Sequence, residues 1–177
     1  MRVLSENACT YARLTVFSFY SFVECFVNSV GMDFILRTPT LAPDRKDDLM
    51  GIRRGKKSVG HRSIEWRIEK YPTFIRTDGS SPIVITDSNQ RAEPYKSFVE
   101  NVKALRDSIA HYGKHKTAIW RAPIECVERA EHAAKTSIAV AKGFWEACYP
   151  GRGPPQYLLQ LDDTRLAEMA HQRLGLA

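Results

Sequence analysis

Three side chains suited to phosphate chemistry lie close together near the middle of the chain. Arg106 is followed directly by Asp107 and, five positions later, by His111, within the segment LRDSIAH at residues 105–111. A guanidinium is permanently charged and binds phosphate through paired hydrogen bonds, whereas an imidazole exchanges its proton near neutral pH. The spacing therefore indicates a compact set of groups for phosphodiester chemistry, provided that one helix presents them together.

Each of these groups also has a structural interpretation. His111 could cap the end of its helix, where a cation suits the negative end of the helix dipole. Arg106 could form a buried salt bridge with Asp107 or with Glu24. Glu24 could be a paired interior acid or could help to position Arg106 in a site, and the sequence leaves these alternatives open.

The sequence around Arg106 predicts an amphipathic helix. Pro94 suits its first turn, and Phe98, Val102, Leu105 and Ile109 recur at helical spacing up to the break at Gly113. This helix would carry both Arg106 and His111.

The rest of the chain is also predicted to be helical. A first helix over residues 7–35 is apolar on nearly all faces, as is typical of a helix at the centre of a bundle. Further predictions are a polar helix over residues 44–54, a helix from the cap Ser63 to Lys70, an ordered loop over residues 76–93, and a last helix over residues 162–174. An alanine-rich core helix is predicted over residues 122–149, with one side formed by Ile124, Val127, Ala130, Ala134, Ile138 and Ala141.

These patterns predict an all-α fold, a single-domain bundle of five or six helices with little or no sheet. We expect residues 1–149 to form the bundle and residues 150–161 to form a linker rich in proline and glycine. Residues 162–177 would then form a C-terminal helix that packs on the bundle.

Composition and charge limit the class of protein. The chain has 177 residues, 44% of them hydrophobic and 26% charged, which is typical of one soluble globular domain. A formal net charge of +6 favours an anionic partner, nucleic acid first and acidic lipid second. The basic stretch over residues 53–62, which begins with Arg53 and Arg54, is either a solvated connector or a loop that contacts phosphate.

The cysteines and the apolar first helix bear on cofactors and location. Cys9, Cys25, Cys126 and Cys148 lack zinc-ligand spacing, so we expect reduced thiols, no metal and no cofactor, with Cys25 and Cys126 in the core. The apolar run over residues 14–36 contains Glu24 near its middle, where a membrane would impose a cost of about 2.5–3.5 kcal/mol. A cytoplasmic protein without a membrane anchor is therefore predicted.

The segment LRDSIAH resembles the signature of the HEPN superfamily (higher eukaryotes and prokaryotes nucleotide-binding), in which arginine, a polar residue and then histidine stand at this spacing. Residues 17–28, with Glu24 and Asn28, resemble the opening helix of many HEPN proteins, and residues 63–75 resemble the segment that follows it. The likeness covers most of residues 10–148, and only the arginine-to-histidine motif is sharp.

The resemblance implies a bundle that forms a homodimer through the motif helix and acts in defence or as a toxin, with a possible antitoxin or regulatory partner. The implied activity is metal-independent endoribonuclease cleavage, in which a 2′-hydroxyl attacks phosphorus and leaves a 2′,3′-cyclic phosphate. His111 would be the general acid or base, Arg106 would hold the phosphate, and Asp107 would orient either group. Residues expected to support the site or contact RNA are Glu24, Arg53, Arg54, Tyr112, Lys114 and Lys116.

Two alternatives to catalysis remain. The bundle could bind RNA or a nucleotide without cleaving it, or serve as a sensor or assembly domain, and the motif could be fortuitous in an interaction protein. One toxin branch of the family is regulated by nucleotide addition to a tyrosine two places after the histidine. Tyr112 directly follows His111 instead, so that route of regulation does not carry over.

Overall fold

Two long helices run side by side through the middle of the molecule. The computed structural model describes residues 2–54, 59–110, 120 and 122–161. Its helices are α1 (Arg2–Arg37), α2 (Pro43–Leu49), α3 (Ile64–Ile75), α4 (Tyr95–Ser97), a π-helical segment (Phe98–Lys103), α5 (Ala104–Ala110), α6 (Pro123–Cys148) and α7 (Gln156–Leu159), and its strands are β1 (Ile52–Arg54) and β2 (Val59–His61). The predicted all-α single-domain fold is confirmed.

The pairing of α1 with α6 is the most extensive contact between described elements. The helices run parallel, because Cys9 meets Cys126 towards the N-terminal ends of both helices and Phe26 meets Phe144 further along both. Buried residues recur every three or four positions on each helix; on α1 these are Ala12, Val16, Tyr20, Val23, Val27 and Val30, and on α6 they are Ala130, Ala133, Ser137, Val140, Ala141, Phe144 and Ala147. Small residues on α6 let the two backbones approach closely, so that the valine-rich face of α1 is buried.

The predicted central position of α1 was wrong for half of its surface. Only one side is buried, and large side chains on the other side are exposed: Tyr11, Leu14, Phe17, Met32 and Leu36. Cys25 is also exposed, contrary to the core position expected for it. Because α1 is apolar all round, its periodicity does not show which face meets a partner.

The predicted buried side of α6 was right at Ala130, Ile138 and Ala141 and wrong at the start of the helix. Ile124 and Val127 are exposed, and the buried stripe begins at Cys126 instead. The buried side is set by the close approach of α1, which small residues permit and which Ile124 does not. The helix boundaries themselves, Pro123–Cys148, agree with the expected span.

A hairpin replaces the second half of the predicted polar helix. α2 ends at Leu49, and Gly51, with a φ of +70°, turns the chain into β1, which pairs antiparallel with β2. The predicted connector over residues 53–62 is therefore partly strand, with Arg53 paired opposite Gly60. A left-handed residue such as Gly51 ends a helix at little cost.

Two further segments were anticipated well. Ser63 caps α3, where its hydroxyl accepts a hydrogen bond from the Trp66 amide, although the helix continues beyond Lys70 to Ile75. The loop after α3 is ordered because one oxygen of Glu69 accepts hydrogen bonds from the amides of Ile85 and Thr86 and from the Thr86 hydroxyl. This carboxylate fixes the loop to the helix.

The helix that carries Arg106 is continuous from Tyr95 to Ala110 and contains the π-helical segment. We call residues 95–110 the motif helix. Phe98, Val102 and Leu105 are buried as predicted. A π-helical turn accommodates one extra residue, so it shifts the face that α5 presents, and such turns are frequent at functional sites.

The segment after α6 packs on the bundle over part of its length. Within residues 150–161, α7 buries Leu158 completely, and the Tyr157 ring lies 6.4 Å from the Phe26 ring. The predicted C-terminal helix over residues 162–174 lies outside the described residues.

The part of α1 over Asn7–Arg37 is long and apolar enough to cross a membrane by length and composition alone. The core helix of a soluble protein meets the same two criteria. One side of α1 is buried in the bundle, and the other side is exposed.

A substitution at Gly31 would test the packing of α1 on α2 and α3. A Cβ atom there would lie 2.6 Å from the Leu49 carbonyl oxygen and 2.7 Å from Cε2 of the fully buried Tyr71. Alanine gains about 1 kcal/mol in helix propensity over glycine, but overpacking costs about 1–3 kcal/mol. Gly31→Ala should therefore lower the free energy of unfolding in urea, whereas Gly153→Ala, with no heavy atom within 4 Å, should change it little. A more stable Gly31→Ala protein would contradict this packing.

Glu69 should make stability depend on pH. Burial opposes its charge, but the hydrogen bonds from Thr86 and its neighbours outweigh burial and lower the pKa of Glu69 to about 2. The stabilisation is present above the unfolded pKa of about 4.3 and is lost as pH falls towards 2. The stability difference between wild type and Glu69→Gln should shrink over this range in thermal unfolding. The exposed Glu131→Gln is the control, and a Glu69→Gln effect independent of pH would refute the assignment.

Candidate functional site

Arg106 lies on α5, where its side chain faces α1. Its guanidinium carbon is 4.0 Å from the centroid of the Tyr20 ring, and 24% of the side chain is exposed. A cation at this distance over an aromatic face is attracted by the ring quadrupole. The contact holds one face of the guanidinium against the bundle and leaves part of the group accessible to solvent.

Asp107 engages the same guanidinium. Nη1 of Arg106 lies 2.9 Å from Oδ1 of Asp107, while Nε is buried without a partner among the described residues. Of the two salt bridges that the sequence allowed, the structure therefore contains the one with Asp107. Burial alone would lower the pKa of Arg106, but its contacts with Tyr20 and Asp107 outweigh burial and raise it, so the group stays charged.

Tyr20 forms the platform beneath Arg106. Its ring is stacked on Phe98 with centroids 5.6 Å apart, so the platform joins α1 to the motif helix. Burial raises the pKa of Tyr20 to about 12, which keeps the phenol neutral. The sequence analysis did not identify Tyr20. Its position four residues before Glu24, on the same face of α1, was the available signal.

Glu24 pairs with α3 instead of with Arg106. Its nearest cationic partner is Arg67, at 3.8 Å, and Arg67 also donates a hydrogen bond to the Asn28 side chain. Glu24 still acts on Arg106 at longer range, where its charge is one of the causes that raise the pKa of the guanidinium. Its position fits a supporting role beside Tyr20.

A second ion pair, also missed from the sequence, completes the group. Lys103 on the motif helix pairs with Glu65 in the first turn of α3. Burial would raise the pKa of Glu65, but the hydrogen bond from Lys103 outweighs burial and lowers it. Lys103 stands three residues before Arg106, so the two cations lie on one side of the motif helix.

Together these side chains form a polar seam between α1, α3 and the motif helix. We use this name for Tyr20, Glu24, Asn28, Glu65, Arg67, Lys103, Arg106 and Asp107. The seam can hold a permanent cation in a fixed orientation beside a neutral aromatic ring. Such an arrangement is suited to binding a phosphate oxygen.

The remaining predicted site residues fall into two groups. His111, Tyr112, Lys114 and Lys116 lie outside the described residues. Arg53 is exposed and Arg54 follows it in β1, a strand that packs on α2 and β2 while α5 packs on α1. The hairpin and Arg106 therefore belong to different parts of the bundle.

A cavity of about 440 Å³ lies beside the motif helix, on its side towards α6. Its polar lining includes Glu100, Glu128, Arg129 and His132, and Arg106 is not part of it. Arg129 is already paired with Glu125 at 3.0 Å. The site at Arg106 is thus a surface feature, and this cavity has no excess of basic groups for a phosphate.

A second cavity, of about 360 Å³, carries more arginine but is also unsuited to an anion. Arg37, Arg76 and Arg152 line it where α1, α3 and α6 end. Arg37 is paired with Asp33 and Arg76 with Asp78, and each of three helix C-termini adds about half a negative charge. The guanidiniums therefore neutralise charge that is already present, and Arg76 also donates to the Ala147 carbonyl.

The comparisons with known proteins leave the family open. The chain matches no protein-family model, no curated protein and no solved structure. Within the described residues, no group of three or more histidine, cysteine, aspartate or glutamate side chains could hold a metal ion. Membership of the HEPN superfamily remains a prediction from the motif.

The ion pair between Lys103 and Glu65 can be tested by a double-mutant cycle. Lys103→Met should lower the free energy of unfolding by about 1–3 kcal/mol, because it leaves a largely buried carboxylate without its cation. Adding Glu65→Gln should restore part of that loss, with a coupling energy of about 0.5–3 kcal/mol. Arg129→Met breaks a surface pair and should cost less. Strict additivity of the two seam substitutions would show that they do not interact.

Proposed function

We propose that the protein is a metal-independent endoribonuclease, present in the cytoplasm and active as a homodimer through its motif helix. The observation that supports this proposal best is the position of Arg106, held charged and partly exposed on Tyr20. It stands five residues before His111, and α5 ends at the residue next to this histidine. A guanidinium that stabilises negative charge and an imidazole that transfers a proton are two of the groups that can support phosphodiester cleavage without a metal.

The proposed reaction is an internal transfer at phosphorus. His111 takes the proton of a ribose 2′-hydroxyl, whose oxygen then attacks the adjacent phosphorus. The bond from phosphorus to the 5′-oxygen breaks, and that oxygen receives a proton from a general acid. The products are a 2′,3′-cyclic phosphate and a 5′-hydroxyl end. Arg106 stabilises the extra negative charge in the transition state, and Asp107 orients Arg106.

The ion pair of Arg106 with Asp107 favours a second candidate, which is RNA or nucleotide binding without cleavage. The carboxylate occupies one edge of the guanidinium and brings negative charge next to the place where phosphate would bind. In a binding module, Arg106 need only contact the ligand, and His111 need not exchange a proton. The two candidates predict the same ligand class and differ in the chemical outcome.

Cleavage of labelled RNA in the presence of a chelator distinguishes the candidates. Wild-type protein should produce fragments that end in a 2′,3′-cyclic phosphate, identified by mass spectrometry. His111→Ala should reduce the rate by about 10²–10⁴-fold and Arg106→Ala by about 10²–10³-fold.

Arg129→Ala is the matched control for this experiment, since Arg129 is also an arginine paired with a carboxylate on a helix surface. Circular dichroism should show that all variants retain their helices. Equal cleavage by wild type, Arg106→Ala and His111→Ala would exclude the proposed site. Retention of RNA that depends on Arg106 but leaves the RNA intact would support the binding module instead.

A further inference from the structure

Two thiols are in contact where the N-terminal part of α1 meets the first turn of α6. Sγ of Cys9 and Sγ of Cys126 are 2.7 Å apart, although 117 residues separate them along the chain. A disulfide bond is about 2.05 Å long, so the two sulfurs need approach by only roughly 0.7 Å to form one. The parallel packing of α1 on α6 sets this geometry, because it places both residues at the same end of the helix pair.

The two sulfurs differ in access. Cys9 is 9% exposed, whereas Cys126 is fully buried, so an oxidant meets Cys9 first. Burial raises the pKa of Cys126 to about 11, with Arg129 and Arg13 acting in the opposite direction. Cys126 is therefore a protonated thiol in the reduced protein, and it must lose its proton to attack a second sulfur.

Two guanidiniums flank the thiol pair. Arg13 stands one turn after Cys9, and Arg129 stands three residues after Cys126. Nε of Arg13 and Nη1 of Arg129 are buried and lack a hydrogen-bond partner among the described residues. Nearby cations favour a thiolate over a thiol, so these groups offer stabilisation to an anionic sulfur during oxidation.

We propose that Cys9 and Cys126 are a redox-active pair that a hydroperoxide converts into an intramolecular disulfide joining α1 to α6. The Cys9 thiolate attacks a peroxide oxygen and breaks the O–O bond. This step gives a sulfenic acid on Cys9 and, after protonation, water or an alcohol. The sulfur of Cys126 then attacks the Cys9 sulfur as it loses its proton, and the sulfenic oxygen leaves as water. Two thiols are oxidised, and one hydroperoxide is reduced.

The disulfide bond would lie close to Trp120, which connects the motif helix to α1. The Trp120 indole donates a hydrogen bond to the Ser108 hydroxyl of α5, and the Arg13 guanidinium lies 5.6 Å from the centroid of the Trp120 ring. The end of the motif helix, Trp120, the part of α1 around Cys9 and Arg13, and the first turn of α6 therefore form one connected region. A covalent link between the two long helices would restrict opening of that region.

The other two cysteines cannot replace this pair. Cys25 lies sixteen residues beyond Cys9 on α1, roughly 24 Å along the helix, and Cys148 lies roughly 33 Å beyond Cys126 on α6. Cys25 is exposed and Cys148 is buried. Cys25→Ser therefore removes an accessible thiol without changing the proposed bond, which makes it the matched control.

Peptide mapping of the full chain tests the proposal directly. The reduced protein is treated with hydrogen peroxide under native conditions, alkylated and digested without reductant. Mass spectrometry should find the Cys9 peptide joined to the Cys126 peptide, in wild type and in Cys25→Ser, and should not find it in Cys9→Ala. The oxidised protein should have a Tm higher by roughly 5–15 °C, because the bond closes a long loop in the unfolded chain. Hydrogen exchange of the backbone amides around Cys9 and Cys126 should be slower in the oxidised protein than in the reduced protein.

Three results would overturn the proposal. One is complete alkylation of both Cys9 and Cys126 after the peroxide treatment. Another is the appearance of disulfides through Cys25 alone, as dimers between chains. A third is a linked species whose Tm and hydrogen exchange equal those of the reduced protein. The first two readouts use wild-type protein, so they do not depend on the folding of a variant.

Discussion

The close parallel packing of α1 on α6 is the constraint on which the rest of the structure depends. α6 contributes mainly alanine and serine to this contact, and α1 contributes valine and aromatic side chains. With this face of α1 committed to α6, the edge that carries Tyr20, Glu24 and Asn28 is turned towards α3 and the motif helix. The polar seam exists because that edge bears acceptors and an aromatic ring, whereas the facing helices bear Arg67, Lys103 and Arg106.

Local signals along the chain predicted the elements better than their orientation. Capping by Ser63 and the apolar spacing of the motif helix depend on neighbouring residues, and both predictions agree with the structure. The buried faces of α1 and α6 depend on a partner more than one hundred residues away, and periodicity alone placed Ile124 and Cys25 on the wrong side. The hairpin was missed because its strands are only three residues long and because the predicted helix was continued past Gly51, whose positive φ turns the chain into β1.

In the candidate site too, features that depend on neighbouring residues were predicted and contacts between distant residues were not. The sequence singled out Arg106 and allowed its pairing with Asp107, since adjacent charges in one segment are visible without a fold. It missed Tyr20, Lys103 and Glu65, because only tertiary contact shows that these side chains meet. It also left open a pairing of Glu24 with Arg106, whereas Arg67 on α3 pairs with that carboxylate. The side chains that could not be predicted from the sequence are therefore those that contact the site from other helices.

The charges of the seam bear on how a phosphate could bind there. Arg67, Lys103 and Arg106 are matched by Glu24, Glu65 and Asp107, so the seam is neutral as a whole. A neutral seam fixes the direction of Arg106 but does not itself attract an anion, because each cation already has a carboxylate beside it. Attraction must then come from groups beyond the seam, for which the chain offers His111, Lys114 and Lys116 directly after α5. A second copy of the motif helix would double the number of such groups at one cleft, which is the physical reason for expecting activity in a dimer.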